Sequence, residues 1–577
     1  MALFAAAQVQ GPDFVMLVGY FAIMVGIGFY FYRHMSDMKT YFSGGNQIPW
    51  WLSGISFYMT SFSAFAFVSY SGLAYKFGMV AVTLFWVTVP ATLFSVYVFA
   101  TRWRRARIDS PVEYLETRYS HTFRQICTWQ GLPVTLIDDA LKMIATGSIV
   151  SVGMGMGMKE SIFWSGVVML AYTFMGGLWA VVITDFVQFV VLSAAVVILV
   201  PLSLAKVDGL AGLLERAPDG FFSLTTPEYN WFFIFMTILL YCVAWSSTRW
   251  ALIQKYYCVP AERDTLKLGW LVAILNIVVP PLMFLPAMAA QQFLPGIETI
   301  EVYSRVCAAL LPAGMLGLVI AAMFAATMST LSGDFNVCAG VLTNDVYRRL
   351  IRPRASEREL VLVGRVSTLL VGFLSIGIAI WLAGGSAEKL FRNMLTLFSI
   401  AAAPLGVPML VGLLSRRATN VGAILGSLGG IVIGLLLFFL MPEKGADFLG
   451  AHWAPEMAIF AATTLMTLIT MLVVSLAFPM SAADAERADR FYQRLMTPIG
   501  QTPEDQALLS SPKAAFSPFR VVGICILAIG LLMLAVQPWV GGTAGTLNVA
   551  FAAGFIVMGG MITWATRARP ARGDIAA

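Results

Sequence analysis

AAMFAATMSTLSGDFNVCAGVLTNDVY, Ala321 to Tyr347, sets Ser329, Thr330, Ser332, Asp334 and Asn336 inside a run otherwise apolar enough to cross a membrane. Polar groups at that depth pair with one another or serve a ligand, so the stretch predicts a membrane-embedded helix that carries a function. Composition agrees on the class. Of 577 residues, 59% are hydrophobic and 12% charged, against roughly 45–50% and 25% in a soluble domain, and the mean hydropathy is +0.80. The sequence predicts an all-α polytopic membrane protein.

A helix needs about 20 apolar residues to cross roughly 30 Å of hydrocarbon. Fifteen such runs are present, at 13–32, 48–71, 79–100, 124–152, 161–182, 184–205, 231–253, 268–291, 306–346, 360–383, 390–414, 421–441, 456–478, 520–538 and 547–566. Basic residues collect in alternate loops, among them Arg102 to Arg107, Arg348 to Arg354 and Arg567 to Arg572. Positive loops stay cytoplasmic, so the N-terminus is expected outside and the C-terminus inside the cell (inner or plasma) membrane. The first run lacks the basic n-region of a cleavable signal peptide and reads as a retained helix.

Several features argue against other function classes. The six cysteines are scattered without metal-ligand spacing and read as small core residues. His34, His121 and His452 stand apart, and no nucleophile, base or metal constellation suggests an enzyme. The net charge of +6 is accounted for by the basic loops, so no nucleic-acid partner is expected. GMGMGM at Gly153 to Met158 reads as a turn, because no strand or Lys-Ser/Thr signature of a phosphate loop accompanies it. The hydrophilic stretch 481–518 is too short for a domain and reads as a cytoplasmic linker to two further helices.

Two spans look interrupted. Residues 48–71 contain Ser56, Thr60, Ser61, Ser63, Ser69 and Ser71, and residues 231–253 contain Ser246, Ser247, Thr248 and Arg249. Interrupted helices free carbonyls and helix ends for ligands and ions, although Ser and Thr also pack helices or bond back to the preceding turn. Five helices separate the two spans, the spacing of two five-helix repeats of opposite topology. Asp138 and Asp139 lie in the middle of another span, where a central charge costs about 2.5–3.5 kcal/mol on translocon scales. They are expected either to pair with Lys142 or Arg249, or to hydrogen-bond a substrate.

SAFAFVSYSGLAYKFG at Ser63 to Gly78, SPVEYLETRY at Ser110 to Tyr119, GGLWAVVITDFVQ at Gly176 to Gln188 and ATMSTLSGDFNVCAGVLTNDVYRR at Ala326 to Arg349 resemble the sodium:solute symporter family. APLGVPMLVGLLSRRATNVGAI from Ala403 is a weaker fifth match. The resemblance implies a LeuT-type fold, a 5+5 inverted repeat with one N-terminal and four C-terminal extra helices. The chain then divides into 1–47, repeats at 48–205 and 231–414 around the loop 206–230, two helices in 415–478, the linker 479–519, and two helices in 520–577. It further implies sodium-coupled import of a small-molecule substrate, a sugar or sugar derivative first and an amino acid or other metabolite next. The shared sodium site would use Met59, Phe62, Ala326, Ser329 and Thr330, neutral oxygens of the kind hard cations prefer. A candidate second site pairs Asp185 with Ser332 and lacks one hydroxyl, because the next matching position is Gly333. Asp185 also reads as a helix N-terminal charge favoured by the dipole.

Positions matching the family's substrate contacts are Ser61, Phe65, Ala66, Phe85, Thr88, Cys242, Asn276 and Thr396, with Asp138, Asp139 and the candidate gate Trp245 beside them. Several are apolar where sugar carriers place acidic or amide groups. The expected partners are the solute, sodium and the lipid bilayer, with no obligate protein partner evident. Two rivals stand beside this reading: a proton-coupled carrier using Asp138, Asp139 or Asp185, and a membrane sensor that does not transport.

Overall fold

A computed structural model describes residues 10–34, 44–61, 63–108, 111–172, 178–311, 314–442, 445–448, 451–503, 505–506, 517–539 and 542–567. Almost all of it is helical. The helices that matter below are α1 (Gly11–His34), α2 (Trp50–Thr60), α3 (Ser71–Phe77), α4 (Val80–Arg105), α5 (His121–Met154), α6 (Met158–Tyr172), α7 (Leu178–Ala205), α8 (Trp231–Tyr241) and α9 (Trp250–Tyr257). They continue with α10 (Glu262–Phe293), α11 (Met315–Val341), α12 (Glu357–Leu382), α13 (Ala387–Leu414), α14 (Asn420–Leu440), α15 (Pro455–Ala477), α16 (Ala482–Met496), α17 (Pro518–Ala535) and α18 (Gly542–Arg567). A small antiparallel hairpin, β1 (Ala446–Phe448) with β2 (Ala451–Trp453), joins α14 to α15.

Ten of the described helices are long and apolar enough to cross a bilayer. Two further pairs qualify together but bend sharply, α5 with α6 by 113° and the run Trp231–Ser246 with α9 by 66°. Gly155 makes the first bend by adopting the left-handed conformation at φ 65° as the cap of α5, the usual role of a helix-ending glycine.

The span read at 48–71 is likewise two pieces. Helix α2 stops at Thr60, and the chain resumes through the π-helical turn Ala66–Tyr70 into α3. The second broken run repeats the device, with a π-helical turn at Cys242–Ser246 ahead of Ser247, Thr248 and Arg249. Single π-turns mark places where a helix is bent or widened around a site.

Three boundaries depart from the sequence reading. The run read as 306–346 is a short helix, Val302–Leu310, followed by α11, which starts after Gly314 at φ 88°. Helix α7 begins at Leu178, so Asp185 lies two turns inside it and the helix-dipole reading does not apply. The stretch 481–518 carries α16, capped by the Ser481 hydroxyl, which accepts from Asp484 N–H at 3.2 Å.

The N-terminal helix is fastened to α11 by Asp13. This carboxylate is 1% exposed and accepts the N–H groups of Gly314 and Gly317 at 2.6 and 2.9 Å, supplying donor-rich α11 with an acidic cap. A Cβ at Gly317 would meet the Asp13 carbonyl oxygen at 2.1 Å, so only glycine permits the approach.

Candidate solute and cation site

The chain resuming after the break that follows α2 is held by a hydroxyl of α11. Thr327 on α11 accepts Ala64 N–H at 3.2 Å and the Thr146 hydroxyl of α5 at 3.1 Å, while donating to the Met323 carbonyl at 3.2 Å. Deeper in α2, the Ser56 hydroxyl donates to Asp185 of α7, and Ser53 donates to the Lys255 carbonyl of α9 at 2.9 Å. The two half-helices α2 and α9 are thus tied to each other and to helices that run unbroken past them.

Beside this break lies a cavity that takes side chains from both broken runs and from α4, α5, α10 and α13. Ser61, Phe65, Ala66, Phe85, Thr88, Asp138, Trp245 and Asn276 all line it. Cys242, Asp139 and Thr396 are not among its lining residues. Thr60, Ser63 and Ser246, read as marks of the interrupted spans, and Lys142, read as an ion-pair partner, also line it, as do Thr92 and Met394, which the sequence reading missed. Tyr70 and Tyr241 touch through their hydroxyls at 3.2 Å and cover one end, with Tyr70 stacked on Phe284 and edge-on to Phe391. Trp245 packs against Phe398 at 5.2 Å between ring centroids, and Arg249 lies over its ring at 5.4 Å.

Charge lines another part of the wall, through Asp138 and Lys142. Lys142 reaches Asp138 at 2.8 Å, Asp139 at 3.2 Å and Asp334 at 3.1 Å. Arg249 pairs with Asp138 and, at 3.0 Å, with Asp334. Three carboxylates therefore share two cations in a site where Asp138, Asp139 and Lys142 are all buried. Asp139 Oδ2 has no hydrogen-bond partner. Both pairings read for Asp138, with Lys142 and with Arg249, exist together. In the sequence Asp334 reads only as a polar residue of the 321–347 run; its carboxylate belongs to this cluster.

Two of the residues matched to the shared cation site, Met59 and Thr330, are described. Met59 sits in the last turn of α2, where carbonyls lose their intrahelical donors, and the buried Thr330 comes from α11, which packs on α2. Carbonyl and hydroxyl oxygens are the neutral donor set an alkali cation needs, so these residues fit sodium. Phe62 and the side chains of Ala326, Ser329 and Ser332 lie outside the described residues. Asp185 is 1% exposed and engaged by Ser56.

The model of the sodium:solute symporter family matches residues 41–228 and 261–430. The sodium/sialic acid symporter of Proteus mirabilis is 24% identical over 73% of this chain and 88% of its own length. The sodium/mannose cotransporter of Bos taurus is 28% identical over 75% of this chain and 80% of its own. Among solved structures, a substrate-bound, outward-open sodium-coupled sialic acid symporter covers 81% of this chain and 98% of its own, with a TM-score of 0.66 at 22% identity. That likeness extends to the fold, and the family match spans most of the helices that build the cavity. The chain belongs to the sodium:solute symporter family.

Proposed function

We propose that the protein is a sodium-coupled symporter that imports a small polar organic solute by alternating access. The observation that carries this reading is the convergence of six family-matched positions, from the first broken helix and its neighbours α4 and α10, on one cavity that Asp138 and Trp245 also line. Sugar-type solutes are the first choice, because the relatives named above carry sialic acid and mannose. The cavity supports that choice with hydroxyls from Thr60, Ser61, Ser63 and Thr88 and the amide of Asn276. Aromatic faces from Phe65, Phe85 and Trp245 suit the apolar face of a sugar ring. Asp138 and Lys142 also present both charges to the cavity, which supports an amino acid or sugar derivative as the next choice.

Sodium enters this scheme at Met59, Phe62, Ala326, Ser329 and Thr330, bridging the end of α2 to α11; it supplies the positive charge that draws the two helices together. A second ion at Asp185 and Ser332 has less support, since Ser56 already engages the carboxylate and Gly333 supplies no hydroxyl. The driving force suffices. One sodium ion moving through ~100 mV contributes ~2.3 kcal/mol, and a tenfold gradient adds ~1.4 kcal/mol, together a few-hundred-fold accumulation of a neutral solute.

The arrangement proposed is fifteen spans around a five-plus-five inverted repeat, with the N-terminus outside the plasma or inner membrane. The paired π-turns beside the two breaks support the repeat. Uptake of a labelled solute panel into proteoliposomes, with and without an inward sodium gradient, tests the function. Sodium-dependent accumulation that is lost in Ser329→Ala/Thr330→Ala is the expected result. Accumulation indifferent to sodium and to the mutation would replace the reading with proton coupling, and sodium-stabilised solute binding without uptake would replace it with a sensor.

A further inference from the structure

The charged cluster of Asp138, Asp139, Lys142, Arg249 and Asp334 stands between two cavities. Asp138 and Lys142 line the central one, while Arg249 and Asp334 line a second that no assignment above uses. The second cavity is built from α5, the break before α9, α11 and the inner half of α13. Its lining is mixed in the manner of a solute path. Gln130, Thr135 and Thr248 offer polar groups, Trp250 an aromatic face, and Gly131 leaves room at the wall. Gln130 donates to the Ala401 carbonyl at 2.8 Å, but its buried Oε1 has no hydrogen-bond partner. A buried acceptor of that kind is costly unless a ligand or water meets it.

Within the cluster the members are not equivalent. Asp138, Asp139 and Lys142 share α5, and Asp334 on α11 is held by Lys142. Helices α5 and α11 pack along each other. Arg249 alone comes from a broken helix, at the point where the chain is extended rather than helical, and it bridges Asp138 of α5 to Asp334 of α11. Displacing the α9 half-helix would pull one cation out of the wall and leave the rest of the cluster joined through Lys142.

We propose that this cluster is the inner partition of the solute path, that Arg249 is its movable member, and that the second cavity is the compartment a small polar solute enters next on its way to the cytoplasm. The inference rests on the orientation given under Proposed function, but its test needs neither the solute nor sodium coupling.

Single cysteines are placed in the two compartments, Ser61→Cys in the central cavity and Thr135→Cys in the second, and labelled by a membrane-impermeant maleimide applied to inside-out vesicles. The six native cysteines are all buried, and each background without a reporter serves as the blank. Thr135→Cys is expected to react at a similar rate with or without the Arg249→Gln change. Ser61→Cys is expected to be protected in the parent, at least tenfold more reactive with Arg249→Gln, and protected again with Arg249→Lys. Should Arg249→Gln fail to fold, Asp334→Asn, which removes one of the two carboxylates Arg249 holds, is expected to raise Ser61→Cys labelling severalfold. Equal labelling of Ser61→Cys in all backgrounds, or a Thr135→Cys that no inside reagent reaches, overturns the proposal.

Discussion

At the residue scale, Lys142 is the side chain on which the buried charges depend most. It is the one described cation that reaches all three aspartates, and Asp139 has it as its sole salt-bridge partner among the described residues. Removing one member of a buried ion cluster leaves an uncompensated charge, typically at a cost of about 3–5 kcal/mol. Lys142→Met is therefore expected to lower the thermal denaturation midpoint strongly. Lys142→Met/Asp139→Asn is expected to recover part of that loss, a coupling that a double-mutant cycle measures; strict additivity would count against the cluster. Asp138, Asp139 and Lys142 were legible as a group because spacings of three and four residues share a helix face. Arg249 and Asp334 were not legible as members with the same force. They lie 111 and 192 residues from their partners on α5, and only the packed helices bring them there.

At the element scale, what matters is how a broken helix is kept from unravelling. The serines and threonines that flagged 48–71 as interrupted did so correctly, yet the group that clamps the break, Thr327, sits on another helix and reads in sequence as one more small residue. Its hydroxyl takes two donors and gives one, so Thr327→Val strips the partner from Ala64 N–H, whereas the Thr146 hydroxyl keeps the Lys142 carbonyl at 3.1 Å. Each buried donor left alone costs about 1–3 kcal/mol. The expected outcome is a destabilisation of about 1–3 kcal/mol by thermal melting, with Thr327→Ser close to the parent. Loss of the clamp is also expected to weaken sodium binding measured by calorimetry, because the end of α2 and α11 would no longer be held together. The depth of Asp185 escaped the sequence for a different reason. Hydropathy locates spans but not the residue at which a helix starts, and Leu178 begins α7 seven residues earlier than the carboxylate.

At the scale of the whole molecule, the stretch 481–518 is a brace across the inner loops. Arg107 donates to both oxygens of Asp505 at 3.1 and 2.7 Å and to the carbonyls of Arg494, Thr497 and Pro498. Glu262, held by Nε and Nη2 of Arg105, accepts Ile499 N–H at 2.7 Å. Burial alone would raise the Asp505 carboxyl, but the hydrogen bonds from Arg107, Thr502 and Gly500 N–H hold it well below the usual carboxylate range. A depressed carboxyl contributes its stability above the unfolded value near 3.9 and loses it as the pH falls through the lower folded value. Hydrogen exchange in α16 is therefore expected to stay slow down to about pH 4 and to accelerate only in stronger acid. Asp505→Asn is expected to show fast exchange already at neutral pH; slow exchange there would mean α16 docks without the brace. Sequence alone made this region a tether, since the arginine that docks it stands 398 residues before Asp505. The same distance problem governs how the chain is made. Asp13 is made well before α11, and the amides that receive its carboxylate follow 301 and 304 residues later. At ~5–20 residues per second that interval is roughly fifteen seconds to a minute, during which an acidic side chain destined for burial has no partner from α11. Helix α1 thus stays unfinished through that interval, and its final seat is set by a segment the ribosome has yet to write.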